Sequence, residues 1–524
     1  MRRATPSFHL IPRTLAVAAG LMLGALTLQV PAQAANGRLK VIIVDKETGQ
    51  PIPCRIHLQN QKGVAQKAGG LPFWSDHFVC PGTLELSFRK GNYTFEIERG
   101  LEYLWQKGYF VINENAQDEK KIELRRFINM SEHGWYSGDL HVHRPAKDME
   151  LLMQADDLHV APVISWWNEK NDWTSKAIPK EPIITHDKNR FYHLMGGEDE
   201  RAGGTLLYFN SSEPLNIAGA KAESPSSLKF IYQAREKQPN VWIDIEKPLW
   251  WDLPAWIASG KVDSIELANS QMNRSKMQPD DPAGRPRDKQ RFRDGLGGGH
   301  SSQHIYYQLL NCGIRLAPSA GSGTGVVPNP LGYNRVYVHV EGEFTYAKWW
   351  EGLRDGRSFV TNGPLLRPDV EGELPGHTFA ATQGETITLN PFLSLSTRDK
   401  IDYLDIVQDG DVRYSIRLDE YAKLKGKLPA LEFKRSGWFV IRAVAENDKT
   451  FRFAATAPYF VKIGDEIRIS KRSVQYFLDW ENERIAKLEE LLKDAPAEER
   501  AETMGFHEAS RKFWSELLLR ANAE

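Results

Sequence analysis

His141 and His143 stand two residues apart in the run Gly138-Asp139-Leu140-His141-Val142-His143. Residues at i and i+2 of a strand point to the same side. A strand through this run therefore aims two imidazoles at one point. Such a pair suits a divalent metal: zinc first, since it takes His nitrogen readily, with manganese or iron as further candidates. Asp139, just before the pair, is placed to orient an imidazole from behind. A His-x-His motif alone is more often two core or surface histidines, so its context has to decide.

That context is a central segment, residues 127–365, in which seven short apolar runs end in polar or aromatic clusters. The expected strands are Trp135–His141, Val160–Trp166, Tyr192–Glu198, Val241–Glu246, Ser264–Ala268, Ile314–Ser319 and Arg335–Val340. Helical stretches at Met149–Leu158, Ser226–Gln238 and Ser301–Leu310 alternate with them, which predicts a parallel sheet. Polar clusters gathered at the C-terminal strand ends predict a closed barrel with its site there. Two of those clusters carry tandem tryptophans, Trp166-Trp167-Asn168 and Trp250-Trp251. A single Trp usually packs a core, but neighbours on a strand face opposite ways. One of each pair is thus free for a flat, partly apolar ligand such as a sugar ring. Arg201, beside Gly203-Gly204, is a candidate clamp for an anionic substrate group, against plain ion pairing within Glu198-Asp199-Glu200-Arg201.

The order of these clusters resembles the polymerase and histidinol phosphatase (PHP) superfamily, in its CehA/McbA-like metallohydrolase branch. The likeness rests on Gly138–His143, on Gly197-Glu198, and on the run Ile314–Tyr337 with Gly332-Tyr333-Asn334-Arg335-Val336-Tyr337. It implies a distorted seven-stranded β/α barrel that binds two or three divalent ions. The family's first-strand His pair matches His141 and His143, and its glutamate after the third strand matches Glu198. Elsewhere the chain departs. Trp166-Trp167 stands for the family's Asp-His, Lys247-Pro248 for its His-Pro, and Gly323-Thr324-Gly325 for its Asp-x-His. Two outcomes are open. The Lys247 ammonium fills the place of a lost cation and pairs with Glu198, Asp244 or Glu246. Alternatively, His141, His143 and Glu198 hold one ion with water as fourth ligand, the open geometry of catalytic zinc, and Asp244 or Glu246 serves as base. Arg335 is counted with the substrate side, as are Trp166, Trp167, Asn168, Lys247, Trp250 and Trp251.

The remaining segments frame this one. Residues 37–126 alternate as a small β-sandwich. They resemble carboxypeptidase-regulatory-like modules through Val44-Asp45 and Gly49-Gln50-Pro51-Ile52-Pro53. Residues 366–466 predict a second β-sandwich, and 471–524 a helical hairpin turning across Asp494–Gly505. Residues 1–34, with Arg2, Arg3 and Arg13, an apolar run over Leu15–Leu28 and Ala32-Gln33-Ala34, read as a secretory leader. Export to the periplasm or beyond is the expectation, with no membrane span in the mature chain. Cys54 and Cys80 could then pair, leaving Cys312 as an inert buried thiol. A formal net charge of −1 argues against nucleic acid as a partner. The fold class expected is multidomain α/β plus β: a central distorted (β/α)7 barrel, two flanking β-sandwiches and a C-terminal helical hairpin. The function expected is an exported metal-dependent hydrolase of an ester, phosphoester or carbamate. The alternative is a degenerate barrel that binds a glycan or another small ligand.

Overall fold

The computed structural model describes residues 36–524; the expected leader, residues 1–34, lies outside the described residues. The central segment is built on strand pairings that return to their start. Strand β1, Trp135–Gly138, touches β2, Val160–Trp167, in parallel through Gly138 and Val160. β2 pairs in parallel with β3, Arg190–Arg201, which turns back antiparallel into β4, Gly204–Phe209. β4 pairs antiparallel with β5, Trp242–Ile245. β5 pairs in parallel with β6, Ser264–Ala268, and β6 with β7, Ala317–Ala320. The chain just past β1 then bonds to both sides. Ile164 donates to Val142 O at 2.8 Å, Leu140 to Ala320 O at 3.0 Å and His143 to Thr324 O at 2.8 Å. The histidine pair therefore lies on a backbone fixed from both neighbours.

This arrangement corrects the expected all-parallel sheet. β4 is antiparallel to both of its neighbours. The Ala202-Gly203 link is too short for a crossover helix, so the chain can only turn back as a hairpin. Gly204 closes that turn at φ +130°, where a Cβ would strike the Trp250 side chain at 2.3 Å. The expected seventh strand also falls elsewhere. β8, Arg335–His339, pairs antiparallel with β1 and with β9, Ser358–Thr361. Helices Met149–Ala155, Ser227–Lys237, Leu253–Ser259 and Gly297–Asn311 alternate with the strands. The last three bury their apolar faces in one cluster with Ile243, Ile265 and Leu267.

In the N-terminal region, a three-stranded sheet centred on Gly37–Asp45 and a five-stranded sheet centred on Cys54–Asn60 share a core of Val41, Ile43, Ile56, Leu58 and Ile97. The later β region is not cut off at residue 365. β9 pairs with Phe453–Thr456, which pairs with Gly437–Ala445, so one hydrogen-bonded sheet crosses that point. Helices Lys471–Leu491 and Ala497–Leu519 pack as a pair. The turn between them is shorter than the expected Asp494–Gly505. Pro496, which cannot donate a backbone hydrogen bond, precedes the second helix, and Glu498 and Glu499 favour its N-terminus. The pair is fastened to the central segment by Arg484, which reaches Asp252 at 2.7 Å and Glu223 at 2.5 Å, and by the Trp514 indole on Pro254 O at 3.1 Å. Burying Trp480 and Trp514 fully adds about 1.5–3 kcal/mol each. Among the described residues no helix is long and apolar enough to cross a membrane.

Candidate metal centre

The side chains of His141 and His143 meet as their spacing predicts. Their Nε2 atoms lie 3.1 Å apart. The Glu198 Oε2 atom, near the end of β3, is 2.9 Å from His143 Nε2 and 3.9 Å from His141 Nε2. His141 and Glu198 are buried, and the His143 side chain is 9% exposed. Glu198 Oε2 is close to both imidazoles yet accepts no well-aligned hydrogen bond. The two imidazoles are themselves within hydrogen-bond distance, so it is the unpartnered Glu198 oxygen beside them that leaves room for an ion. Burial, with the His143 and Lys247 charges, holds the His141 imidazole neutral, the form that binds metal.

A second carboxylate group stands on the other side of the same ring. His141 Nδ1 is 3.7 Å from Glu246 Oε1 and 3.9 Å from Glu266 Oε2. Glu246 is already engaged. Its Oε1 accepts from the Ser270 hydroxyl at 2.7 Å, and its Oε2 meets the Lys247 ammonium at 3.1 Å and the Trp250 indole N–H at 3.2 Å. Lys247 is held further by Asp281 at 3.3 Å and lies 4.6 Å over the Trp250 ring. Neither Glu266 oxygen has a hydrogen-bond partner. Burial pushes the Glu266 carboxyl well above its usual range, and Asp244, Glu246 and Asp139 add to that against Lys247 alone. Carboxylates thus outnumber cations around His141, a field that favours a bound cation. By donor type, distance and charge, His141, His143 and Glu198 fit a divalent ion.

Glu266 is absent from the sequence-based set, although a signal for it exists. Ser264 and Glu266 alternate with Ile265 and Leu267 on β6, just as Asp244 on β5 and Glu246 just past it alternate with Ile243 and Ile245. Gly321 leaves room for it, since a Cβ there would lie 2.1 Å from Glu266 Oε1 and 2.4 Å from His141 Cβ.

The other expected site residues divide. Asp139 steadies the backbone of the pair rather than an imidazole. It accepts from the backbone N–H groups of His141 at 3.1 Å, Ser322 at 2.9 Å and Gly332 at 2.6 Å. Burial raises its carboxyl to about 6. Asp244 is fully buried, accepts from Ser264 at 2.5 Å and Ser319 at 2.7 Å, and is pushed up to about 7 by burial. Trp167 stands 4.9 Å from the His143 ring, and its indole donates to Glu200 at 3.1 Å. Its neighbour Trp166 faces the core, where Gly197 makes space for it. Asn168 closes the turn beside them by bonding both ways to the Glu200 backbone at 3.0 Å. Arg201 is not brought to the pair: it bonds Asp199 at 2.5 Å and the Pro225 carbonyl, and stacks over Phe230. Arg335 is equally remote, donating to Gly332 O at 2.5 Å and Asp156 O at 3.2 Å. Trp251 lies under the Lys487 ammonium at 4.4 Å.

The N-terminal region grips the loops around this centre. Val79 shares an apolar cluster with Val142, the residue between the two histidines. The Trp74 indole donates to Val327 O at 2.9 Å, and Arg274 donates to Glu98 at 2.9 Å. Three loops that follow β1, β6 and β7 are thus held by one neighbour.

No family model matches the sequence, and no curated protein matches it. Among solved structures, the chain is similar to the TIE protein of Bacillus anthracis at 12% identity over 30% of this chain and 24% of that one, with a TM-score of 0.15. It is similar to a streptococcal ancillary pilin at 15% identity over 21% and 38%, with a TM-score of 0.15. It is similar to fibronectin(III)-like modules of Clostridium thermocellum CbhA at 18% identity over 25% and 62%, with a TM-score of 0.13. The chain spans less than two thirds of each of these structures, and likeness at this level bears on neither fold nor function.

Proposed function

We propose that the protein is an exported metal-dependent hydrolase of the PHP type, with one ion held by His141, His143 and Glu198. The observation that carries this reading is the convergence of their three donor atoms, all within 3.9 Å of one another, in a carboxylate-rich interior. On this reading β1–β7 form the distorted β/α barrel and residues 37–126 and 366–466 are its flanking β domains. A divalent ion bound there, zinc first and manganese or iron next, supplies an acidified water for attack on an ester, phosphoester or carbamate.

The chain's own residues do the rest. Asp139 fixes the backbone that aims both imidazoles. Glu246, 3.7 Å from His141, is the carboxylate placed to take a proton, and Lys247 steadies its charge. Trp167 walls the centre beside His143. Export rests on the leader-like residues 1–34.

A second reading is favoured by the seat of Lys247: a degenerate barrel, held by ion pairs, that binds a small ligand without hydrolysing it. Metal analysis of the untagged full chain after incubation with zinc, manganese and iron(II) separates the two. One bound ion per chain, lost in a His141→Ala/His143→Ala double variant, and metal-dependent turnover of nitrophenyl esters or phosphates support the hydrolase. Absence of bound metal under all three conditions removes it.

A further inference from the structure

Beside the centre, a groove of about 680 Å³ runs between the loop after Gln271 and the helix Lys471–Leu491. Its carboxylates are all engaged. Asp281 meets Lys247 at 3.3 Å, Asp280 meets Arg287 at 3.1 Å, and Glu483 meets Arg285 at 2.9 Å. Asp288 accepts from the backbone N–H groups of Gln290 and Arg291. Three of its cations are not so engaged. Among the described residues, Arg291, Arg472 and Lys487 have no carboxylate in ion-pair contact; Arg291 meets His304 at 3.1 Å and the Phe292 ring, and Lys487 the Trp251 ring. Gln271, 4% exposed, lines the same groove with an Oε1 that has no hydrogen-bond partner. A buried acceptor left unpaired is costly, and a ligand hydroxyl would satisfy it.

We propose that this groove binds a small polyhydroxylated anion, a sugar acid or a sugar phosphate, as the substrate side of the metal centre; this rests on the hydrolase reading. The anionic group meets Arg291, Arg472 and Lys487, and a hydroxyl donates to Gln271. The groove wall leads to the centre through Asp281, Lys247, Glu246 and His141 in successive contact.

The test is calorimetric titration of the full chain with glucuronate, glucose 6-phosphate and glucose, with metal content measured on the same sample. One or both anions bind at least roughly tenfold tighter than glucose. The preference shrinks with added salt, and an Arg291→Ala/Lys487→Ala double variant with an unchanged thermal melt loses it. The stronger of the two anions tells carboxylate from phosphate. Equal binding of all three, no binding, or binding indifferent to the double variant overturns the proposal. Anion binding by metal-free protein leaves the groove standing while removing the hydrolase.

A separate observation carries a second inference. Cys54 and Cys80 are directly paired across antiparallel strands, both fully buried, with Sγ atoms 3.7 Å apart. We infer that they form a disulfide when the chain folds in the presence of a thiol–disulfide oxidant, before burial closes off both thiols. Two thiols lose two protons and two electrons, one S–S bond forms, and oxidised glutathione leaves as two molecules of glutathione. The bond would staple the strand bearing Arg55 to the strand bearing Val79, which packs with Val142. After refolding with oxidised glutathione, denaturation and alkylation without reductant should label Cys312 alone. The intact mass should be lower by two hydrogens, and a peptide linking Cys54 to Cys80 should appear. A Cys54→Ser/Cys80→Ser variant should melt at a lower temperature than the oxidised parent. Three labelled cysteines after oxidation overturn the inference.

Discussion

Among the described residues, two clusters of two histidines and a carboxylate occur, and their surroundings differ. In the N-terminal region, Asp76 lies 3.2 Å from His57 Nδ1 and 3.0 Å from His77 Nδ1. By donor count and distance it rivals His141, His143 and Glu198. The difference is in what surrounds the rings. Arg55 Nε donates to His57 Nε2 at 3.2 Å, so the neutral ring carries its proton on Nδ1, on the side of Asp76, though without an aligned hydrogen bond to it. Arg55 and Arg274 also oppose any positive charge on His57. In the central cluster the surrounding groups are of the other kind: carboxyl groups crowd Glu266. The first cluster sits among arginines that oppose a further cation; the second sits among carboxyl groups, where a metal ion could be held. Ligand count alone does not separate them.

The largest expected effect tests that contrast directly. His141→Ala/His143→Ala should abolish bound metal, whereas His57→Ala should leave metal content unchanged. Metal analysis of both variants beside the parent checks this, and loss of an ion in His57→Ala would place the metal in the wrong cluster.

The next effect concerns the cation the central cluster already holds. Lys247 is buried between Glu246 and Asp281. Lys247→Met strands the Glu246 carboxylate, and removing one member of a buried pair costs about 3–5 kcal/mol. Denaturant unfolding measures it. A loss below about 1 kcal/mol would mean that Glu246 is neutral in the native protein and that Lys247 holds little charge in place.

How much of this was legible follows from which interactions are local. His141 and His143 announce themselves by alternation, and the ends of β2, β3, β5 and β6 fall close to the expected ones because apolar runs and turn residues mark them. Partners across the ring leave no such mark. Glu198 came from a resemblance, and Glu266 was passed over because one acid in the apolar run Ser264–Ala268 looks incidental until β5 lies beside it. Arg335 reads as a substrate-side residue, yet its strand pairs antiparallel with β1 and with β9 and its side chain bonds Gly332 and Asp156, a fact of topology and not of composition. The antiparallel β4 was hidden because its run, Thr205–Phe209, is buried along its whole length and shows no alternation. Arg201 had the right chemistry and the wrong direction: Asp199, two residues away, claims it.

A smaller effect comes from breaking the arginine-flanked cluster. His57→Ala removes the Arg55 acceptor and one neighbour of Asp76, a loss of about 1–2 kcal/mol. Chemical denaturation measures it, and a destabilisation as large as that of Lys247→Met would show the N-terminal cluster to be more than a local hydrogen-bond network.

The smallest effect is a pH slope. Burial first, then the charges of His57 and Arg55, lower His77 to about 3, with only Asp76 pulling the other way. His57 is lowered for the same leading reason. An unfolded histidine takes its proton near pH ~6.5. Between there and about 3 the unfolded chain binds more protons than the folded one, so stability is fully present above ~6.5 and declines as pH falls. Thermal melts of the parent should therefore drop on acidification from neutral pH. His77→Gln removes one of several buried histidines that titrate in this window and should make that slope shallower, even if its melting temperature at neutral pH is lower. An unchanged slope would mean that the N-terminal histidines accept protons without cost, and then the two clusters would differ less in their surroundings than their neighbours indicate.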